Sequence, residues 1–129
     1  MIVLDASVVV EILLNSPITE RLHQALLEQD QPILVPHLLD LEVASALRGL
    51  ASAHRLDAYH VKQILQALAD LPAERYSHTP LLERIWELRH NFSAYDAAYI
   101  ALAEATDSVL YTTDLKLSRG HRAQVVVIA

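Results

Sequence analysis

Two aspartates stand directly behind short apolar runs. Asp5 follows Ile2-Val3-Leu4, and Asp114 follows Val109-Leu110-Tyr111-Thr112-Thr113. Two more acids sit in apolar surroundings: Glu42 beside Leu41, Val43 and Ala46, and Asp96 among Tyr95, Ala97, Ala98, Tyr99 and Ile100. A carboxylate taken out of water is costly unless it is paired, hydrogen-bonded or bound to a metal. No base lies within residues 93–105 to pair with Asp96, and none flanks Asp5. The economical arrangement is that these acids meet one another. Carboxylates sharing a pocket repel and raise one another's pKa, and a divalent cation removes that repulsion. Hard oxygen ligands suit Mg²⁺ or Mn²⁺ better than zinc. The chemistry open to such a group is metal-assisted hydrolysis. Asp5, Glu42, Asp96 and Asp114 are therefore the candidate catalytic and metal-holding residues, with the hydroxyls of Ser7 and Thr112 as supporting groups that orient a ligand or a water. Taken singly, each acid has a plainer reading. Asp5 can cap the helix that begins near Ser7, and Asp114 can cap a short turn after its strand. Ser93-Ala94-Tyr95-Asp96 fits a capping box, and Glu42 can be a half-exposed helix residue. Ser7 and Thr112 can likewise be local caps.

The elements that must position these residues follow from periodicity. Residues 2–4, 32–36, 109–112 and 125–128 are short apolar runs that read as buried strands, and 74–78 reads as a further short strand. Helical spacing predicts helices over 7–14, 19–29 and 37–53, the last with Leu39, Val43, Ala46, Leu47 and Leu50 on its apolar face. Another helix starts at Asp57 and stops before Pro72, with Tyr59, Val61, Ile64, Leu65 and Leu68 in it. Thr79-Pro80 reads as an N-cap and N1 proline ahead of a helix with Leu81, Ile85, Trp86 and Leu88. Tyr59, Leu65 and Trp86 are expected in the core, with a share of these two helices' apolar residues left for a dimer or partner groove. Residues 93–105, apolar on nearly every side, predict a central helix. Strands alternating with helices imply an α/β fold: a three-layer α/β/α sandwich around a mainly parallel sheet, one domain over residues 1–129. In such sheets ligand sites gather at the carboxyl ends of the strands, where Asp5 and Asp114 stand.

Composition narrows the function classes. The chain has no cysteine, which excludes disulfides and Cys-ligated zinc, and its 2 glycines leave no phosphate-cradling loop. The 7 histidines show no ligand spacing, and His37, His54 and His60 read as surface or capping residues. Met1 runs straight into the first strand, without a signal peptide or membrane span. The net charge is -6, with 16 acids against 10 bases, whereas nucleic-acid binders usually carry a basic surplus. A carboxylate cluster built for metal accounts for part of that charge. The one basic stretch, Lys116, Arg119, His121 and Arg122, is a candidate contact for a phosphate backbone, or else a solvated loop. A hydrophobic fraction of 53% and a mean hydropathy of +0.24 suggest two-sided burial or a face kept for a partner.

The order Val3-Leu4-Asp5-Ala6-Ser7, Glu42, Ser93-Ala94-Tyr95-Asp96-Ala97-Ala98-Tyr99, Tyr111-Thr112-Thr113-Asp114 resembles the PIN-domain signature. It is particularly similar to the VapC toxins, and the likeness runs over essentially the whole chain. The resemblance implies a PIN-like fold and a cytoplasmic Mg²⁺- or Mn²⁺-dependent endoribonuclease that leaves a 5′-phosphate and a 3′-hydroxyl. It further implies a homodimer, and the toxin half of a type II toxin–antitoxin pair inhibited by a cognate VapB-like antitoxin. The rival readings are a PIN-like interaction or regulatory module without activity, and a DNA-directed nuclease. A further rival, an aspartyl-phosphate domain, is disfavoured because Ser7 stands where phosphatases of that kind need a second Asp.

Overall fold

The computed structural model describes residues 1–128, so residue 129, the last of the expected domain, lies outside the described residues. Five strands, β1 (Ile2–Leu4), β2 (Ile33–Pro36), β3 (Ala73–Tyr76), β4 (Val109–Thr112) and β5 (Gln124–Val127), form one sheet in the order β3-β2-β1-β4-β5. Every pairing is parallel, which sharpens the expectation of a mainly parallel sheet. Strand β1 is central and buried on both faces, as its unbroken apolar run requires. Its register sets Val3 against Leu34 on one side and Leu110 on the other.

The helices are α1 (Ala6–Leu13), α2 (Thr19–Gln29), α3 (Leu38–Ser52), α4 (Ala58–Ala69), α5 (Leu82–Glu87) and α6 (Ala94–Thr106). The chain moves from β1 outward to β2 and β3, then returns across β1 to β4. With right-handed crossovers, that reversal puts α1 to α4 on one face and α5 and α6 on the other. Contacts agree: α1 packs with α2, α3 and α4, while α5 packs on α6. Residues Ala97 to Ala103 of α6 are all buried, because this helix lies across β1, β2 and β4 with further chain over its outer side. Asn15, at φ 50, takes the left-handed turn that ends α1.

Two local expectations are corrected. Thr79 is not a helix N-cap: Thr79–Leu81 is a 3-10 turn containing Pro80, preceded by His78, and α5 begins only at Leu82. The Thr79 amide donates to Ser77 Oγ at 3.2 Å, so the serine supplies the polar partner at this turn. Tyr59, Leu65 and Trp86 are not core residues, since they are 69%, 41% and 66% exposed. The inward stripe of α4 is Ile64 and Leu68, with Val61 half-buried beside it, and that of the α5 segment is Ile85 and Leu88. At 100° per residue, Tyr59, Leu65 and Trp86 fall off those stripes. Arg89 stacks over the exposed Trp86 ring at 4.4 Å.

Candidate active site

All strands point the same way, so their carboxyl ends share one edge of the sheet. Asp5 caps β1, Asp114 lies two residues past β4, Glu42 is in the second turn of the helix that leaves β2, and Asp96 is in the first turn of α6. Strands β1 and β4 are neighbours on either side of the point where strand order reverses, the place where open parallel sheets open a crevice for ligands.

Asp5 is the most constrained of the four, only 6% exposed. Its Oδ1 accepts from Ser7 Oγ at 2.5 Å and from the Val8 amide at 3.1 Å, which makes it the N-cap of α1. Its Oδ2 accepts from the Thr112 hydroxyl. A carboxylate offers about four lone-pair directions, so three bonds leave one on Oδ2. Ser7 Oγ in turn accepts from the Thr113 amide at 3.1 Å, and Thr112 Oγ1 accepts from the Asp114 amide at 3.0 Å. The two hydroxyls thus tie the end of β1 to the turn after β4. Their donor hydrogens are spent on Asp5, so their role is to brace it.

The remaining acids are less enclosed. Asp114 Oδ1 accepts from the Lys116 amide at 2.9 Å and caps a 3-10 turn over Leu115–Ser118, with Lys116 Nζ 4.0 Å from Oδ2. Ser93 caps α6 by accepting from the Asp96 amide at 3.1 Å, which is the serine half of a capping box. Glu42 Oε1 accepts from the Tyr99 hydroxyl at 2.6 Å.

Burial raises the Asp5 carboxyl above its ordinary pKa, its three hydrogen bonds pull it back, and the charge of Asp114 pushes it up again. Glu42 is raised by burial and by the charges of Asp96 and Asp5, against the Tyr99 hydrogen bond. Asp96 is raised by burial, then by Asp114 and Asp5, with Lys116 opposing. Asp5, Glu42 and Asp96 therefore each feel the charge of other acids in the set. Among the described residues, however, no three His, Asp or Glu side chains close into a ready-made metal-binding group. The strands and helices place the acids around a common edge without a shared contact point. Such a loose, all-oxygen set fits Mg²⁺, which keeps several waters and takes only one or two carboxylates.

The basic stretch divides. Lys116 is exposed at the acidic edge, and Arg119 is exposed at the end of the same 3-10 turn. Gly120, at φ 96, then lets the chain pass the Phe92 ring down toward β5. Arg122 consequently lies just before the first residue of β5, at the opposite edge of the sheet, where Nε is 3.6 Å from Glu104 Oε2. That glutamate is also forked by Arg84 at 2.7 and 3.0 Å. Arg122 is thus not brought to the acids. Reading the sequence passed over Tyr99. Its signal was present: a tyrosine three residues after Asp96, on the same face of a helix too apolar to leave a phenol unpartnered.

The PIN-domain family profile matches residues 2–122. The chain is 47% identical over 124 residues to the protein named Ribonuclease VapC9 from Mycobacterium tuberculosis, covering 96% of this chain and 94% of that one. Among solved structures it is similar to PAE2754 from Pyrobaculum aerophilum, with a TM-score of 0.74 and 21% identity over 96% of this chain and 81% of that chain. It is also similar to VapBC2 from Rickettsia felis, solved bound to a DNA fragment from their promoter, with a TM-score of 0.70 and 16% identity over 98% of each chain.

Proposed function

The chain belongs to the PIN-domain family, and from that premise we propose that it is a metal-dependent endoribonuclease, the toxin of a toxin–antitoxin pair, acting as one domain. The observation that carries the reading is the buried Asp5 carboxylate, braced by Ser7, Val8 and Thr112 at the strand-order reversal and surrounded by the charges of Asp114, Asp96 and Glu42.

Asp5 through the free direction on Oδ2, with Asp114, Asp96 and Glu42 directly or through water, would hold Mg²⁺ or Mn²⁺. A bound divalent cation acidifies a coordinated water and neutralises the phosphate against the acids. The donors on Asp5 fix the direction of its free lone pair, so the site is organised before substrate arrives. Glu42 or Asp96, where it meets the cation only through water, would be placed to take the proton from the attacking water. That water adds to phosphorus, the bond to O3′ breaks, and O3′ takes a proton, giving a 5′-phosphate and a 3′-hydroxyl. Lys116, exposed beside Asp114, and Arg119, exposed at the end of the same turn, would contact the RNA backbone.

The relative named a VapC ribonuclease, and the solved VapBC2 assembly, support an antitoxin as partner. Exposed Leu82 and Trp86 on α5 suit a homodimer contact. Among the described residues no helix is long and apolar enough to cross a membrane, and an RNA substrate is compatible with the cytoplasm.

Cleavage of structured RNA by the purified chain, with Mg²⁺ or Mn²⁺ and with chelator, tests this. Activity that needs the metal and is lost in Asp5→Asn is expected. The rival reading is a PIN module that holds metal through the same acids and binds without cutting. Mn²⁺ binding without cleavage of any RNA or DNA supports that reading and overturns the enzyme.

A further inference from the structure

We infer that Tyr99 is a positioning residue for Glu42, and that its hydroxyl sets the affinity of the acidic site for its metal; the inference rests on the site proposed above. Tyr99 is 1% exposed in the most buried helix of the protein, and its hydroxyl donates to Glu42 Oε1 at 2.6 Å across 57 positions of sequence. No other hydrogen bond to the Glu42 carboxylate is present among the described residues, and Glu42 is only half buried on α3. Without the phenol its three side-chain torsions would be free to swing toward solvent and the open groove of about 450 Å³ beside it, whose other polar lining residues are Ser45 and Tyr95. With it, Oε1 is pinned and Oε2 is left for a ligand.

The same helix face carries both parts. Asp96 and Tyr99 are three residues apart, so they project side by side, and α6 delivers one acid to the edge while locking another that belongs to α3. The backbone dihedrals of α6 are set by packing on β1, β2 and β4, which makes the brace rigid. Groups that orient a metal ligand from behind typically change metal affinity or activity by about 10–100-fold when removed.

Tyr99→Phe removes one oxygen and keeps the ring. Mn²⁺ binding followed by calorimetry or by the free-ion resonance signal, without RNA present, is expected to weaken by about tenfold. The Mn²⁺ concentration giving half-maximal cleavage should rise by the same factor, and the melting temperature should change little. In a Glu42→Gln background the Tyr99→Phe change should have no further effect on Mn²⁺ binding, because its target is gone. Wild-type Mn²⁺ affinity in Tyr99→Phe overturns the inference, and so does a loss that persists undiminished in the Glu42→Gln background. If Tyr99→Phe melts early, Glu42→Asp, which keeps the charge but shortens the reach, must show the same affinity loss, and wild-type affinity there overturns it. Asp5→Asn tells the two failures apart. If that variant still cuts RNA, the site itself is misassigned. If it is dead while Tyr99→Phe is normal, only the positioning role fails.

Discussion

Replacing Thr112 with valine removes one oxygen from a fully buried side chain of nearly the same shape. No cavity is made, so the cost is in hydrogen bonds. The Thr112 hydroxyl donates to Asp5 Oδ2 and accepts from the Asp114 amide at 3.0 Å. A hydrogen bond to an ionised acceptor contributes about 1.5–3 kcal/mol, and an amide left without its acceptor in a part-buried turn adds about 1 kcal/mol. Thr112→Val should therefore lose about 2.5–4 kcal/mol at neutral pH. The function changes in a defined direction as well. Burial already raises the Asp5 carboxyl, and the Thr112 bond is one of the contacts that lower it again. Taking that contact away raises it further. The acid limb of the pH–rate profile should move to higher pH, because Asp5 is needed ionised. The stability deficit should shrink as pH falls through the raised folded pKa, since a protonated Asp5 no longer needs the missing donor. Denaturant unfolding at neutral and mildly acid pH reads the first effect, and single-turnover cleavage against pH at saturating Mg²⁺ reads the second. A stability loss under about 0.5 kcal/mol, or an acid limb that stays put or moves down, would refute the account of Asp5 as a carboxylate held ionised by its braces.

Asp96→Asn should abolish cleavage yet raise the melting temperature of chelated protein at neutral pH, because it removes a half-buried charge facing Asp114 and Asp5. The folded pKa of Asp96 lies above its unfolded value, so this gain should be full at neutral pH and vanish as pH falls through both. Arg84→Met removes the fork on Glu104, a side chain only 7% exposed, and should cost about 2–3 kcal/mol while leaving RNA cleavage intact. Arg84 holds the Glu104 carboxyl below its usual range, so that cost should be present above the unfolded pKa and fade as pH falls through the folded one. Lys116→Ala, at a side chain 82% exposed beside Asp114, should weaken RNA binding and reduce its log–log salt slope by about one, with stability unchanged.

Much of this protein is legible residue by residue. The unbroken apolar runs Ile2-Val3-Leu4 and Val109 to Thr112 have to be strands buried on both faces, and 93–105 has to be a central helix, because local periodicity and burial leave no other stable use for them. Asp5 and Asp114 are placed at strand ends by the same local rule. Caps at Asp5, Asp57 and Ser93 are likewise local, since each spans at most three residues.

What only the tertiary structure decides are the relations between segments. The order β3-β2-β1-β4-β5 puts the end of β4 beside the end of β1, and without it Thr112 cannot reach Asp5 across 107 positions. The Tyr99–Glu42 bond, the outward turn of Trp86 and the removal of Arg122 to the far edge of the sheet are decisions of the same kind. The physical reason is that helix and strand periodicity are written in neighbouring residues. Which strand ends become neighbours depends on the free energy of packing the whole sheet between its helices, and no window of sequence contains that sum.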